Sequence, residues 1–392
     1  MGSAPEVGRA FLVLGLTAFG GPNAHLGYFQ REFVERRRWI DAASYAELVA
    51  LCQFLPGPAS SQVGMALGAL RAGLVGALAA WTAFTLPSAL LMIAFAYGIA
   101  GLGVSEAGWI KGLKAAALAV VANAVWQMGT QLAPDRARRV LLCAAAVAAA
   151  LWHAAVAQVA IIAAAAMVGA LRLEPAGRPE AGPVPAAVSP RAGALALSLF
   201  ALLLVGLPAA RAAFGGAWLS QFEVFYRVGS LVFGGGHVVL PLIETEVVGR
   251  GWITRDGFLA GYGAVQAVPG PLFTFAAYLG AAMDAGAGGL AGGLWCLVAV
   301  FLPSFLLVWG TLPFWQALRG RPRVHAALRG VNAAVVGLVV AALYDPMWVE
   351  AVRGPADFAL VVGAFCALVF LKWPAWAVVV AAGAAGALGV RS

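Results

Sequence analysis

The sequence predicts an all-α polytopic membrane protein of two inverted-topology repeats, joined by a central transmembrane helix and interrupted at Gly/Pro breaks. Three observations predict it. Of 392 residues, 62% are hydrophobic and only 11% charged, with a mean hydropathy of +0.89. A soluble chain is ~45–50% apolar and ~25% charged, so a soluble enzyme, a nucleic-acid binder and a disordered chain are excluded. Apolar windows of ~20 residues cover nearly the whole length without the apolar/polar alternation of a β-barrel. Finally, the chain contains one unit twice.

The first copy reads GLTAFGGP (Gly15–Pro22), RWID (Arg38–Asp41), QFLPGP (Gln53–Pro58) and FTLPS (Phe84–Ser88). The second reads GSLVFGGG (Gly229–Gly236), GWIT (Gly251–Thr254), QAVPGP (Gln266–Pro271) and VFLPS (Val300–Ser304). The offset drifts only from 214 (Gly15 to Gly229) to 213 (Gln53 to Gln266) and 216 (Phe84 to Val300), as small loop insertions produce. Further on, Lys111-Gly-Leu-Lys-Ala-Ala answers Arg329-Gly-Val-Asn-Ala-Ala, and the Ala-rich run after Trp152 answers the one after Trp373. The expected organisation is a first repeat over 10–173, a Pro/Gly-rich cytoplasmic linker over 174–192, a central span over 193–212 and a second repeat over 222–391. The apolar run after Arg9 breaks at Phe19–Pro22 without an A-x-A site, so no cleavable signal peptide is expected.

The single extra span turns the second copy upside down if each copy makes an even number of crossings. Loop charges agree. Pro134–Arg139 holds three arginines, whereas its counterpart around 345–357 holds Asp345, Glu350 and Asp357 against Arg353. The Gly101–Gly108 loop holds only Glu106, and its counterpart holds Arg319, Arg321, Arg323 and Arg329. The positive-inside rule then orients the copies oppositely, with the N-terminus cytoplasmic and the C-terminus periplasmic. Inverted repeats of this kind are associated with secondary transporters. In copy one, full spans are expected at about 73–100, 110–132, 138–153 and 154–172. Residues 10–40 and 42–70 read either as two re-entrant hairpins or as two full spans. The hairpins are preferred, because they keep Arg31, Arg36, Arg37 and Arg38 inside.

The Pro-Gly-Pro elements are the sharpest chemical signal. They cannot continue a helix, and inside a membrane the freed backbone must be buried in protein or line a wet cavity. The helix that restarts after Pro56-Gly57-Pro58 or Pro269-Gly270-Pro271 points free N–H groups and a positive dipole end into the break, which suits an anion. Gln53 and Gln266 precede the two breaks. Ser60, Ser61 and Gln62 follow the first, and only Thr274 follows the second, so copy one reads as the richer anion cradle. The breaks at Gly20-Gly21-Pro22 and Gly234-Gly235 permit close backbone approach, with Asn23, His25 and His237 beside them as candidate ligands. The bland alternative throughout is a structural kink or a satisfied core side chain.

Acidic residues near the membrane are scarce. Glu32 and its equivalent Glu246, with His237, are candidates to carry a proton; the two carboxylates could equally pair with Arg31, Arg36 or Arg250. Lys114 reads as a pathway residue or as one that snorkels. Cys52, Cys143, Cys296 and Cys366 form no CxxC pair and read as small buried hydrophobes. No ATP motif, metal spacing or nucleophile–base pair is present, so neither an enzyme nor a cofactor or metal is expected.

Taken together, Phe19-Gly-Gly-Pro22 with Ala24-His25, Glu32…Arg38-Trp39, Gln53-x-x-Pro-Gly-Pro58 with Gln62, and Phe84-x-x-Pro87 resemble the chromate ion transporter (CHR) family in its long, two-domain form. Copy two repeats them as Phe233–His237, Glu246…Trp252 and Gln266-x-x-Pro-Gly-Pro271, departing at Gly236 and in lacking the Ser-Ser-Gln tail. The resemblance implies export of chromate from the bacterial cytoplasm across the inner membrane, driven by the proton motive force. It also implies a relation to the shape mimic sulfate. Expected partners are the small oxyanion, protons and the lipid bilayer, with no nucleic acid; a homodimer is compatible with it. Transport of sulfate or another small anion, and passive anion conduction, are the alternative readings.

Overall fold

Each half opens with four short helical segments around two breaks and continues into longer, apolar helices. The computed structural model describes residues 2–102, 108–152, 155–173, 188–233, 239–283, 288–315 and 321–388. In the first half these are α1 (Ala4–Thr17), α2 (Gly21–Phe29, running on through a wide turn over Gln30–Arg36), α3 (Ala42–Phe54), α4 (Ala59–Leu102), α5 (Gly108–Leu132), α6 (Arg136–Leu151) and α7 (Ala155–Arg172). A lone helix α8 (Pro190–Phe214) follows. The second half comprises α9 (Ala217–Leu231), α10 (Val239–Val247), α11 (Arg255–Val265), a single turn Leu272–Thr274 leading into α12 (Phe275–Ala282), α13 (Gly289–Thr311), α14 (Pro322–Ala342), α15 (Pro355–Val369) and α16 (Ala375–Ala387). No strand occurs among the described residues.

Local chemistry sets the ends. Asp41 caps α3, accepting from Ser44 N at 2.9 Å, and Thr254 caps the equivalent α11, accepting from Gly257 N at 3.1 Å. Asp135 and Ser189 cap α6 and α8 in the same way. The breaks fall where the sequence places them. Gly20 and Gly21 have φ of 104° and 76°, and the central glycines of the two Pro-Gly-Pro turns, Gly57 and Gly270, have 122° and 96°.

Helix α4 is not straight. Ala72 and Gly73 leave the helical region, so arms 59–71 and 74–102 fold back against each other. They touch where Gly68 meets Gly76, with no room for a β-carbon at either glycine. The second half repeats this contact with separate helices, Gly280 of α12 against Gly292 of α13.

The first hairpins enter and return on one side. Gly2 N donates to Arg71 O (3.1 Å), the Arg71 guanidinium pairs with Glu6 (3.1 Å), and it lies 5.1 Å from the Trp39 ring centre. Both ends of the α1–α2 hairpin therefore converge on the bend of α4. Between them, Gly15 reaches the carbonyls of Ala83 and Phe84, deep along the second arm. The second half opens at the other end of that arm. Leu290 N donates to the Tyr97 hydroxyl (2.9 Å), and the Trp295 indole to Trp218 O (2.9 Å).

Contacts between halves are reciprocal. The second arm of α4 runs antiparallel to α13, its repeat equivalent: Trp81 meets Phe301, Ile93 meets Gly293 and Tyr97 meets Leu290. α5 lies against α15 and α16, while its equivalent α14 lies against α6 and α7. The seams correspond residue by residue. Gly112 sits on Ala382 O and Gly386 on Gly108 O; Gly330 sits on Ala165 O and Gly169 on Ala326 O. Water does not drive helices together in lipid, so small-xxx-small stripes that admit close backbone approach do so instead.

Among the described residues, five helices are long and apolar enough to cross a membrane: the bent α4, α5, α8, α13 and α14 with its continuation to Ala351. The best windows of α5 and α13 are 67% buried and that of α8 only 11%, which puts α8 on the periphery against α9 and α13. Segments 138–153 and 154–172 form helices of 16 and 18 residues, Arg136–Leu151 and Ala155–Arg172, close to the expected bounds. One expectation changes. Cys52 and Cys296 are buried, but Cys143 lies on an exposed face and Cys366 is half-buried. In a membrane protein an apolar surround marks the lipid face as readily as the interior.

Candidate functional site

Each Pro-Gly-Pro turn is completed by the opposite half, so that the two halves cross there. Gly57 N donates to Val232 O at 2.6 Å, and Gly270 N donates to Ala18 O at 2.9 Å. Val232 and Ala18 are the equivalent residues that end α9 and α1. Each turn also faces the Leu-Pro-Ser element of the other copy: Ser304 Oγ lies against Gly57, and Ser88 Oγ against Gly270. The local reason is conformational. At positive φ a glycine turns the chain and leaves no β-carbon, so a foreign hydroxyl can close on its backbone.

Around the first turn, α4 begins at Ala59 directly after Pro58, and Ser60, Ser61 and Gln62 are buried in its first turn. The Gln62 amide donates back to Pro56 O at 2.6 Å. His25 Nε2 is 3.1 Å from Ala18 O, which can only accept, so Nε2 carries the proton and Nδ1 accepts from Ser60 Oγ at 3.3 Å. His25 is thus a neutral strut linking α2, the end of α1 and α4. It also stands edge-on to Phe84, at 5.2 Å between ring centres. Ala18 O therefore faces both His25 and the foreign Gly270 N–H.

Around the second turn the hydroxyls are already engaged. Thr274 Oγ1 donates to Pro271 O (2.9 Å) and Ser88 Oγ to Thr85 O (3.0 Å). Gln266 is buried and bonded to Tyr262, with its Nε2 unpartnered. Among the described residues near the two turns, Ser61 Oγ, Gln62 Oε1, Thr85 Oγ1 and Ser304 Oγ are buried oxygens without a partner. Such groups are costly to leave unmet and call for an explanation.

Of the candidate residues, His25, Pro56, Gly57, Pro58, Ser60, Ser61 and Gln62 from the first half and Gln266, Pro269, Gly270, Pro271 and Thr274 from the second belong to these two turns and their surrounds, whereas Gly20, Gly21 and Pro22 follow Ala18 along the chain and Gly21 has open space around it. Gln53 does not resemble Gln266, since it lies on the exposed side of α3. Gly234, Gly235 and His237 fall outside the described residues, as does the side chain of Asn23. Ser88, Ser304 and Thr85 were not among the candidates. Their signal was present, as the repeated Leu-Pro-Ser, but nothing in the sequence says that each copy lends it to the other.

The two candidate carboxylates lie elsewhere, each between two guanidinium groups. Glu32 contacts Arg36 and Arg37, both at 2.5 Å. Glu246 contacts Arg227 at 3.0 Å and Arg250 at 2.9 Å. Arg227 also reaches Glu223 (2.6 Å), which in turn pairs with Arg211 of α8 (2.5 Å). This chain of alternating charge fastens α8 to α9 and α10. Lys114, buried in α5, neither snorkels nor stands alone: it pairs with Asp256 of α11 at 2.5 Å. Among the described residues no group of three His, Cys, Asp or Glu is placed to hold a metal.

Broken helices crossing within an apolar helical assembly define a multi-pass membrane protein of the transporter class, not an enzyme. The chain belongs to the chromate transporter family, whose profile, described as Chromate transporter, matches residues 5–170 and again 219–387. It is 33% identical to the chromate transport protein of Pseudomonas aeruginosa over 373 residues, 90% of this chain and 83% of that protein. It is 28% identical to the chromate transport protein of Cupriavidus metallidurans over 343 residues (85% and 80% of the two chains). With the probable chromate transport protein of Synechococcus elongatus it shares 25% over 347 residues (87% and 84%). No solved structure matches the chain.

Proposed function

We propose that this protein exports chromate from the bacterial cytoplasm across the inner membrane, driven by the proton motive force, by rocking two inverted repeats about the crossing of their Pro-Gly-Pro turns. The observation that carries the reading is that crossing, where the N-terminal end of α4 and buried hydroxyls without partners come together. A tetrahedral oxyanion needs several converging donors and positive potential, and these groups offer both. The antiparallel contact of the equivalent helices α4 and α13 supports the inverted arrangement. Arg36, Arg37, Arg38 and Arg71 cluster around the mouth of the first hairpins, which supports a cytoplasmic N-terminus, a cytoplasmic linker over 174–192 and a periplasmic C-terminus.

The direction follows from electrostatics. A potential negative inside favours anion exit by ~2.3 kcal/mol per charge per 100 mV, and a dianion gains about twice that. Inward protons add to the drive. Glu32, Glu246 and His237 are the candidate carriers; protonation of either carboxylate has to loosen two arginine contacts, which couples charge to the position of α2 or α10. Sulfate has the same shape and charge and is the second substrate reading.

The test is flux in everted vesicles with voltage and pH difference imposed separately. Chromate uptake that responds to both is expected, with sulfate as competitor. Sulfate movement without chromate would replace the substrate, and flux indifferent to the pH difference at fixed voltage would make the protein a passive anion channel.

A further inference from the structure

We propose that Ser304, carried by the second half, is a direct ligand of the anion held at the first half's Pro-Gly-Pro turn, so that the chain has one composite oxyanion site, not two. The inference rests on the anion-transport reading above. Ser304 is fully buried and its hydroxyl has no partner. That is anomalous for a serine inside a helix, which ordinarily turns its hydroxyl onto a carbonyl of the preceding turn. Three buried hydroxyls of this and neighbouring helices do so, Ser230 to Tyr226 O (2.8 Å), Thr311 to Leu307 O (2.7 Å) and Ser88 to Thr85 O (3.0 Å), whereas Thr85 Oγ1 shares the unengaged state of Ser304.

Ser304 Oγ instead rests against Gly57, beside the Gln62 amide. This is the start of the long helix α4, where the first N–H groups have no acceptor within the helix and the dipole end is positive. Ser61, in the same first turn, is 2% exposed and its Oγ is equally without a partner. Two unengaged hydroxyls, one from each half, thus attend one positive helix end. The symmetry-related place differs. There Ser88 and Thr274 already donate to Thr85 O and Pro271 O, and the helix restarts through one tight turn. An anion at the first crossing touches both halves, and separation of the halves removes one of its donors.

The experiment is equilibrium binding of chromate, and of sulfate, to the purified full chain, with thermal unfolding of every variant. Ser304→Ala and Ser304→Cys should each weaken binding roughly ten-fold or more, as loss of a hydrogen bond to a charged group does, while Tm stays level or rises because an unmet hydroxyl is removed. Ser88→Ala should leave binding within about two-fold. Ser61→Ala with Ser304→Ala should lose less than the product of the single losses if both hold one ion. Wild-type affinity in Ser304→Ala and Ser304→Cys, or an equal loss in Ser88→Ala, overturns the proposal while wild-type binding keeps the transport reading. A wild-type chain that binds neither anion removes both.

Discussion

Gly57 carries more constraint than Gly20, Gly21 or Gly270 at the described breaks. Its φ of 122° is hostile to a side chain, and a β-carbon would run into Ser304 Oγ and, at 2.6 Å, the Gln62 amide. Gly21 shares the positive φ (76°) but has open space around it. Both alanine variants should carry conformational strain of ~1–2 kcal/mol, with Gly57→Ala also disturbing the crossing. The expected outcome is a larger Tm loss and abolished chromate flux for Gly57→Ala, against a modest Tm loss with flux retained for Gly21→Ala. At the charged sites, Glu246 is 5% exposed between Arg227 and Arg250, whereas Glu32 is 16% exposed. Removing one partner from a buried ion group leaves an uncompensated charge. Glu246→Gln should therefore lower Tm more than Glu32→Gln, and equal losses would contradict a buried role. The sequence singled out both carboxylates but not Arg227 as a partner of Glu246, because it lies 19 positions away and only folding joins them.

At the scale of the element, capping and small-residue seams decide which helices form and touch. Asp135 accepts from the Arg138 backbone and side chain, and these bonds hold its carboxyl below the ordinary carboxylate range. A depressed carboxyl contributes stability that is present above its unfolded pKa, near 4, and is lost as pH falls through its lower folded value. Asp135→Asn, which keeps an acceptor, should flatten that acid limb of a Tm-versus-pH curve without removing the cap. The seams predict a sharper effect. Gly112→Leu and Gly330→Leu force a side chain into the Ala382 and Ala165 carbonyls, and both should unfold or disperse on size exclusion; Gly383→Leu, whose nearest neighbour is 3.8 Å away, should be mild. The described breaks and most helix bounds were legible, those of α6 and α7 included, since Gly and Pro act within a few residues. The caps at Asp41, Asp135, Ser189 and Thr254 were not singled out, because a cap is defined by the N–H that its side chain meets.

For the whole molecule, the reciprocal contacts make a prediction about motion. If the halves rock, joining α4 to α13 should arrest them. A short bifunctional thiol cross-linker joining Trp81→Cys to Phe301→Cys, whose native rings meet across the two helices, should stop chromate flux and leave anion binding intact; full flux with the link formed would sink rocking about this contact. The sequence by itself determined the duplication, the apolar class, the family resemblance and the place of the breaks at Gly20–Gly21 and at the two Pro-Gly-Pro turns, because these depend on residue type and spacing along one chain. Only the tertiary structure decided that each Pro-Gly-Pro turn is closed by the other half, that α5 and α14 exchange partners, and that Ser304 faces Gly57. Those facts concern residues hundreds of positions apart, and in lipid their meeting is set by close backbone fit, which no hydropathy pattern records.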